Sequence, residues 1–204
     1  MAERRHGLRA PDTETTVEFE DWDGDDLSGQ SHTRVAFLDV DMTEVTNKGA
    51  VFTECAFRGV RFNASTHSDA AFVNCTFTRC SFFDTTFTQC KLVGSMFDGC
   101  SFDLLKAVGG DWSFVGLPGA NLGRASFSGV RMREADLTGA RCEGATLRDV
   151  DLSGAWFRGA TLSRCDLRGS DLSSLDPLTV ELKGAVIDTH QAIAIATALG
   201  LKVS

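Results

Sequence analysis

In the stretch CTFTRCSFFDTTFTQCKLVG, residues 75–94, large apolar side chains fall on every fifth position: Phe77, Phe82, Phe87 and Leu92. An α-helix turns about 100° per residue, so steps of five scatter side chains around its whole circumference. A flat strand alternates faces, so an odd step sends each successive large residue to the opposite side. The spacing excludes both. It fits a five-residue unit that turns a corner each time and returns one side chain to a shared interior, which makes the internal repeat the feature that decides the fold.

The beat runs without slipping from Val17 to Ile187, a column of 35 positions of which twelve are Phe and eleven are Leu. Val17, Trp22, Met42, Trp112, Met132 and Ile187 extend the apolar set, Ala107 and Cys142 are small, and only His32, Asn47, His67 and Pro177 break it. A second column two residues earlier is nearly always small, as in Ala50, Cys55, Cys75, Cys80 and Cys90, and later Ala120, Ala135, Ala140 and Ala160. One large and one small residue per unit therefore point inward. The intervening positions carry polar residues, and Gly recurs two places after the large residue, at Gly139, Gly144, Gly154, Gly159 and Gly169, where a corner requires unusual dihedrals.

The segment ADLTGARCEGATLRDVDLSGAWFRGATLSRCDLRGSDL, residues 135–172, resembles the A(D/N)LxX signature of the pentapeptide repeat family. The resemblance implies an all-β solenoid, a right-handed quadrilateral β-helix with four five-residue sides per coil. Stacked at ~4.8 Å, such coils make a rod about 40 Å long. The division expected is an N-terminal extension over 1–16, the repeat over 17–187 and a helical C-terminal segment over 188–204.

The N-terminal MAERRHGLRAPDTE holds no apolar run of signal-peptide type and no stretch reaches transmembrane length, so a cytoplasmic chain is expected. All seven cysteines fall in inward columns, none in a CxxC, and read as small buried residues. The histidines His6, His32, His67 and His190 are scattered without ligand spacing, and no nucleophile elbow or phosphate loop is present. No catalytic residue, metal or cofactor is assigned, and a non-enzymatic chain is expected. Asn47, His67 and Ala107 differ by multiples of twenty and fall on one side of the coil, where a narrowed or distorted wall is expected. The irregular stretch 102–114 reads as either a bulged contact surface or local wear of a redundant repeat.

Beyond Pro177, Asp188 or Thr189 can cap a helix through HQAIAIATALG that Gly200 ends. Its apolar residues predict a buried helix, covered by a second copy in a two-fold dimer through Ile187, Ala192, Ile193, Ile195, Ala196, Leu199 and Leu201. The alternative is a helix that plugs its own coil. This ending is similar to that of the gyrase-protecting branch of the family, MfpA, the Qnr proteins and AlbG. That resemblance implies mimicry of duplex DNA, binding to DNA gyrase or another type II topoisomerase, and protection from inhibitors such as fluoroquinolones, as resistance or self-immunity.

Net charge is −8, which averages about one charge per ~5 Å of such a rod, against one per ~1.7 Å in duplex DNA. The charge is polarised: residues 12–54 hold twelve acids against Arg34 and Lys48, whereas 124–168 hold eight arginines against six acids. The overall sign disfavours direct nucleic-acid binding. The candidate partner-binding surface is Glu18, Glu20, Asp21, Asp23, Asp25 and Asp26, with Asp171 and Asp176 near the other end; a solvated, charge-blocked edge is the equal alternative for the first group. A scaffold that binds a different protein and never meets gyrase is the second functional reading.

Overall fold

The computed structural model describes residues 10–203 as a four-faced parallel β-solenoid closed by one C-terminal helix. Of the expected N-terminal extension, residues 1–9, His6 among them, lie outside the described residues. The pairing interval is twenty residues throughout: Thr15 lies beside Val35 at one end and Asp166 beside Val186 at the other. Four five-residue units thus close one coil, and each coil hydrogen-bonds only to its neighbours.

Three faces carry extended sheet. The first face stacks Thr15–Glu18, Val35–Leu38, Ala56–Arg58, Thr76–Thr78 and Met96–Asp98. The third face is the longest, six strands from Thr46–Lys48 to Thr146–Arg148, and the fourth holds Ser31–Thr33, Val51–Thr53 and Ala71–Val73. The second face is joined by single bridges, Asp21 to Asp41 to Arg61 to Ser81 to Ser101. Corners fall where the repeat places them. Gly139 and Gly144 have φ of 64° and 74°, and where no glycine is available other residues take the same left-handed turn, short polar ones at Asp39 and Asn74 and larger ones at Arg34 and Leu104.

The large column forms the core. Phe37, Phe57, Phe77 and Phe97 stack at 4.8, 4.8 and 4.6 Å on the first face, and Phe52 stacks on Phe72 at 4.8 Å on the fourth. Neighbouring columns meet edge to face, as Phe57 does with Phe62 and Phe72. Each such pair is worth about 0.5–1.5 kcal/mol beyond the area it buries.

The small column is more than filler. Cys75, Cys90 and Cys165 donate Sγ–H to the carbonyls of Phe52, His67 and Cys142, each 23 residues back, at 3.2–3.4 Å. Thr85, Ser95 and Ser170 make the same bond through oxygen at 2.7–2.8 Å, to Phe62, Phe72 and Leu147. The position selects a small side chain, and at these Cys, Ser and Thr residues the carbonyl one coil back accepts its hydrogen bond. Burial pushes the Cys90 thiol up to about 11 and Cys165 up to about 12, so these thiols stay protonated.

The expected distortion at Asn47, His67 and Ala107 does not occur; all three lie in the unbroken six-stranded sheet. At Ala107 the reason is a size exchange. Trp112, on the adjoining face, is fully buried and meets Phe87 and Phe127 edge to face at 5.5 Å. Those rings bracket Ala107 in its own column, so the indole occupies the space a large side chain would need. The stretch 102–114 is therefore neither bulged nor worn: Lys106 stays in register with Ser126, and Leu105 is buried. Gly110, in the small column, has φ 85°, and a Cβ there would stand 2.2 Å from the Cys90 carbonyl oxygen.

Candidate interaction surfaces

His67 is a buried titratable group with reactive potential, and its surroundings disarm it. Asn47 Nδ2 donates to Nδ1 at 3.1 Å, which leaves the ring proton on Nε2, and Nε2–H donates to Ser65 Oγ at 3.0 Å. Ser65 in turn donates to the Phe62 carbonyl at 2.6 Å, and Asn47 Oδ1 accepts from the Ala50 amide. Phe87 stacks on the imidazole at 4.8 Å. Burial lowers the His67 pKa to about 3, so the ring is neutral and fully partnered. His32 is half-buried, hydrogen-bonded to Gln30 and stacked on Phe52. Among the described residues no group of three His, Cys, Asp or Glu side chains is arranged to hold a metal ion.

The acidic residues singled out by sequence do not form one surface. Glu18, Glu20, Asp21, Asp23, Asp25 and Asp26 are all exposed on the first coil. Asp171 and Asp176 are exposed too, but between seven and eight coils away, about 35 Å at strand spacing. None of the ion pairs among the described residues involves any of these eight. Asp21 and Asp26 accept from the amides of Asp23 and Ser28, which tightens the corner turns. Phe19 stands among them, 75% exposed at φ 58°. Further along, charges cancel between coils: Arg61 reaches Asp41, Arg131 reaches Asp111 at 3.1 Å, Arg133 reaches Asp151 at 2.6 Å, and Arg148 reaches Asp166 at 3.7 Å, which Arg168 of the same coil also holds at 2.7 Å.

The C-terminal end is apolar. Helix α1, Thr189–Ala198, starts at Asp188, whose side chain accepts from the Gln191 amide while Gln191 Oε1 accepts from the Asp188 amide. This is a reciprocal cap. Gly200, at φ 80°, ends the helix. Contrary to the expectation of a helix buried by its apolar residues, the buried residue of α1 is Gln191. Its Nε2 donates to the carbonyls of Leu167 and Ser170 at 2.6 and 2.7 Å, which seals the open edge of the last coil. Ile187 and Ile195 pack partly against the core and Ala196 is half-buried, whereas Ala192, Ile193, Leu199 and Leu201 face outward, the last three 44%, 47% and 60% exposed. Plugging the coil and presenting an apolar face are compatible, because the polar side chain does the first.

A family model described as pentapeptide repeats matches residues 117–154 and 145–176 in eight copies, on the same five-residue register that the solenoid follows from Thr15 onward. Residues 117–176 are pentapeptide repeats. A model of the SV2A/B/C luminal domain matches residues 17–102. No curated protein matches. Among solved structures, a trypsin-treated variant of QnrB1, described as a plasmid-mediated fluoroquinolone resistance protein, is 23% identical at a TM-score of 0.60, over 94% of this chain and 96% of its own. Full-length QnrB1 is 22% identical at 0.50, over 93% and 99%. HetL, a pentapeptide repeat protein involved in heterocyst differentiation regulation from the cyanobacterium Nostoc, is 19% identical at 0.38, over 84% and 82%. At these identities the likeness concerns the fold.

Proposed function

We propose that this pentapeptide-repeat protein is a non-enzymatic cytoplasmic homodimer that docks on DNA gyrase or a related type II topoisomerase through DNA-like acidic surface and so modulates its response to inhibitors. The observation that carries this reading is the first coil, where six exposed carboxylates enter none of the ion pairs among the described residues at one end of the rod. The whole-length fold likeness to QnrB1 agrees with it. A basic DNA-binding saddle would meet these carboxylates in place of phosphates. Docking there competes with DNA, and an inhibitor that needs DNA in the saddle loses its target. The test is supercoiling of relaxed plasmid by gyrase with increasing amounts of protein, with and without a fluoroquinolone. Rescue of the poisoned enzyme or inhibition of the free one is expected, and either effect should fade as salt rises. No effect in both arms with a folded protein would overturn the reading.

A second reading, a scaffold for another protein, draws on the cross-coil ion pairs. With Asp111, Asp151 and Asp166 each met by an arginine of a neighbouring coil, Arg131, Arg133 and Arg148, the C-terminal half lacks the continuous negative potential of a duplex. A partner that binds without salt dependence and without competing with DNA would favour it.

The dimer of this proposal joins C-terminal ends. Ile193, Leu199 and Leu201 lie exposed beside the sealed coil, and a second copy related by a two-fold axis would cover all three. At high salt, which screens ionic contacts but leaves apolar ones, the double variant Ile193→Asp, Leu199→Asp is expected to run as a monomer in size-exclusion chromatography with light scattering, with its β-sheet circular dichroism unchanged. A stable dimer in that variant would place the contact elsewhere.

A further inference from the structure

One corner of the rod carries a charge pattern that neither the repeat nor the proposed docking surface requires. Between the second and third faces, successive coils place Gly24, Glu44, Ala64, Asp84, Leu104, Arg124, Gly144, Arg164 and Gly184 in a single file at intervals of twenty residues. Read outward from Leu104, the file is palindromic in size and opposite in charge. Asp84 mirrors Arg124, Ala64 mirrors Gly144, Glu44 mirrors Arg164 and Gly24 mirrors Gly184. Glu44, Arg124 and Arg164 are exposed and appear in none of the ion pairs among the described residues, while Asp84 is half-exposed and held by Lys106 at 3.0 Å.

We propose that this corner is a lateral interface with a second copy of the chain, packed side by side and antiparallel about a two-fold axis at Leu104. Such an axis reverses the rod direction, so each position meets its mirror image in the file. Glu44 then meets the partner's Arg164, and Asp84 meets the partner's Arg124. With their symmetry mates these make four ion pairs. Leu104 meets the partner's Leu104 at the centre, and the small Ala64 opposite the partner's Gly144 lets the two backbones approach.

The adjoining column on the second face obeys the same operation. Phe83, 48% exposed, falls opposite the partner's Gly123, and Asp23 falls opposite the partner's Lys183. Phe83 is held for this role: Asn63 Oδ1 accepts from the Phe83 amide at 3.3 Å and from Ser81 Oγ at 2.6 Å. The axis also sets Asp103 and Lys106 opposite their own copies, and the Lys106 charge is met within its own chain by Asp84 at 3.0 Å. The register is specific, because a slip of one coil would set Asp84 against the glycine at 144 and leave both arginines unmatched. This contact uses a different surface from the C-terminal end and stands whether or not the protein binds a topoisomerase.

The test places a cysteine on the axis. Leu104→Cys, treated with a short bis-maleimide at low salt, is expected to give covalent dimers above the background set by the parent chain with its seven native cysteines. Adding Glu44→Arg and Asp84→Arg turns four attractive contacts repulsive and should weaken the association by about thirtyfold, with loss of the cross-link. Adding Arg124→Glu and Arg164→Glu to that chain restores the complementarity with signs exchanged, and the cross-link should return. Recovery also shows that the reversed chain was not lost to misfolding. No cross-link at position 104, a yield equal in the charge-reversed chain, or failure of the exchanged chain to recover while remaining folded would each overturn the interface.

Discussion

Acidification from pH 7 to pH 4 is expected to destabilise the rod from its interior, chiefly through one imidazole, that of His67. In the unfolded chain His67 titrates near 6.5; in the fold, burial among Phe62, Phe72 and Phe87 lowers that value to about 3. A base whose folded pKa is depressed contributes its full stabilisation above the unfolded value and loses it as pH falls toward the folded one. The loss therefore starts near pH 6.5 and proceeds at about 1.4 kcal/mol per pH unit down to pH 3. The Asp41 and Asp166 carboxyls, held near 2 by Arg61 and Arg168, lose their contribution only below pH 4 and leave this window clear. The measurement is the guanidinium unfolding midpoint between pH 7.5 and 4. The double variant Asn47→Leu, His67→Phe removes donor and acceptor together and should show a much flatter midpoint over that range, the remaining slope coming from half-buried His32, whose pKa burial also lowers. His67→Phe alone should start lower at pH 7, by about 1–2 kcal/mol, because it orphans the Asn47 amide. A wild-type midpoint that is flat to pH 4 would show that the ring is solvated or charged in the fold.

The second large effect is expected at Gly110→Ala. The added methyl would lie 2.2 Å from the Cys90 carbonyl oxygen and 2.7 Å from the Cys90 amide nitrogen, both backbone atoms of the preceding coil, at a φ of 85°. Neither atom can move without breaking the stack, so a loss of about 3 kcal/mol or more is expected. Gly119→Ala is the control, since Gly119 also has positive φ, 66°, but nothing within 4 Å of the added methyl. It should cost about 1 kcal/mol, the left-handed backbone alone. Equal losses at the two glycines would show that the coils at Gly110 separate freely.

These two sites also mark what the sequence discloses. The repeat, its period, the inward columns and the corner glycines are legible because each depends on a residue's place in a local five-residue unit. The cap by Asp188 and Gly200 is legible for the same reason. The compensation of Ala107 by Trp112 is not, since the two lie on different faces and their contact depends on how rings from adjoining columns interleave. The donor role of Cys75, Ser95 and Thr85 shows in sequence only as small size; its acceptor is a backbone carbonyl one coil away. Gln191 was hidden by its apolar neighbours, because burial of a polar residue follows from the carbonyls of Leu167 and Ser170 that await it, not from amphipathic pattern. The polarity of the acidic residues along the rod is legible as well, since position in the repeat count fixes which end Glu18–Asp26 and Asp171–Asp176 occupy.

The constant twenty-residue interval has a consequence for how such a molecule changes. A chain that gains or loses a whole coil keeps every inward column, every corner and every carbonyl acceptor in phase, while a partial insertion throws one of them out. Length is thus quantised in steps of about 4.8 Å, and the separation of the acidic tip from the apolar end can be reset without redesigning the core. The rod is a ruler whose graduations are coils, and the side chains outside its corners are marks that can be rewritten one graduation at a time.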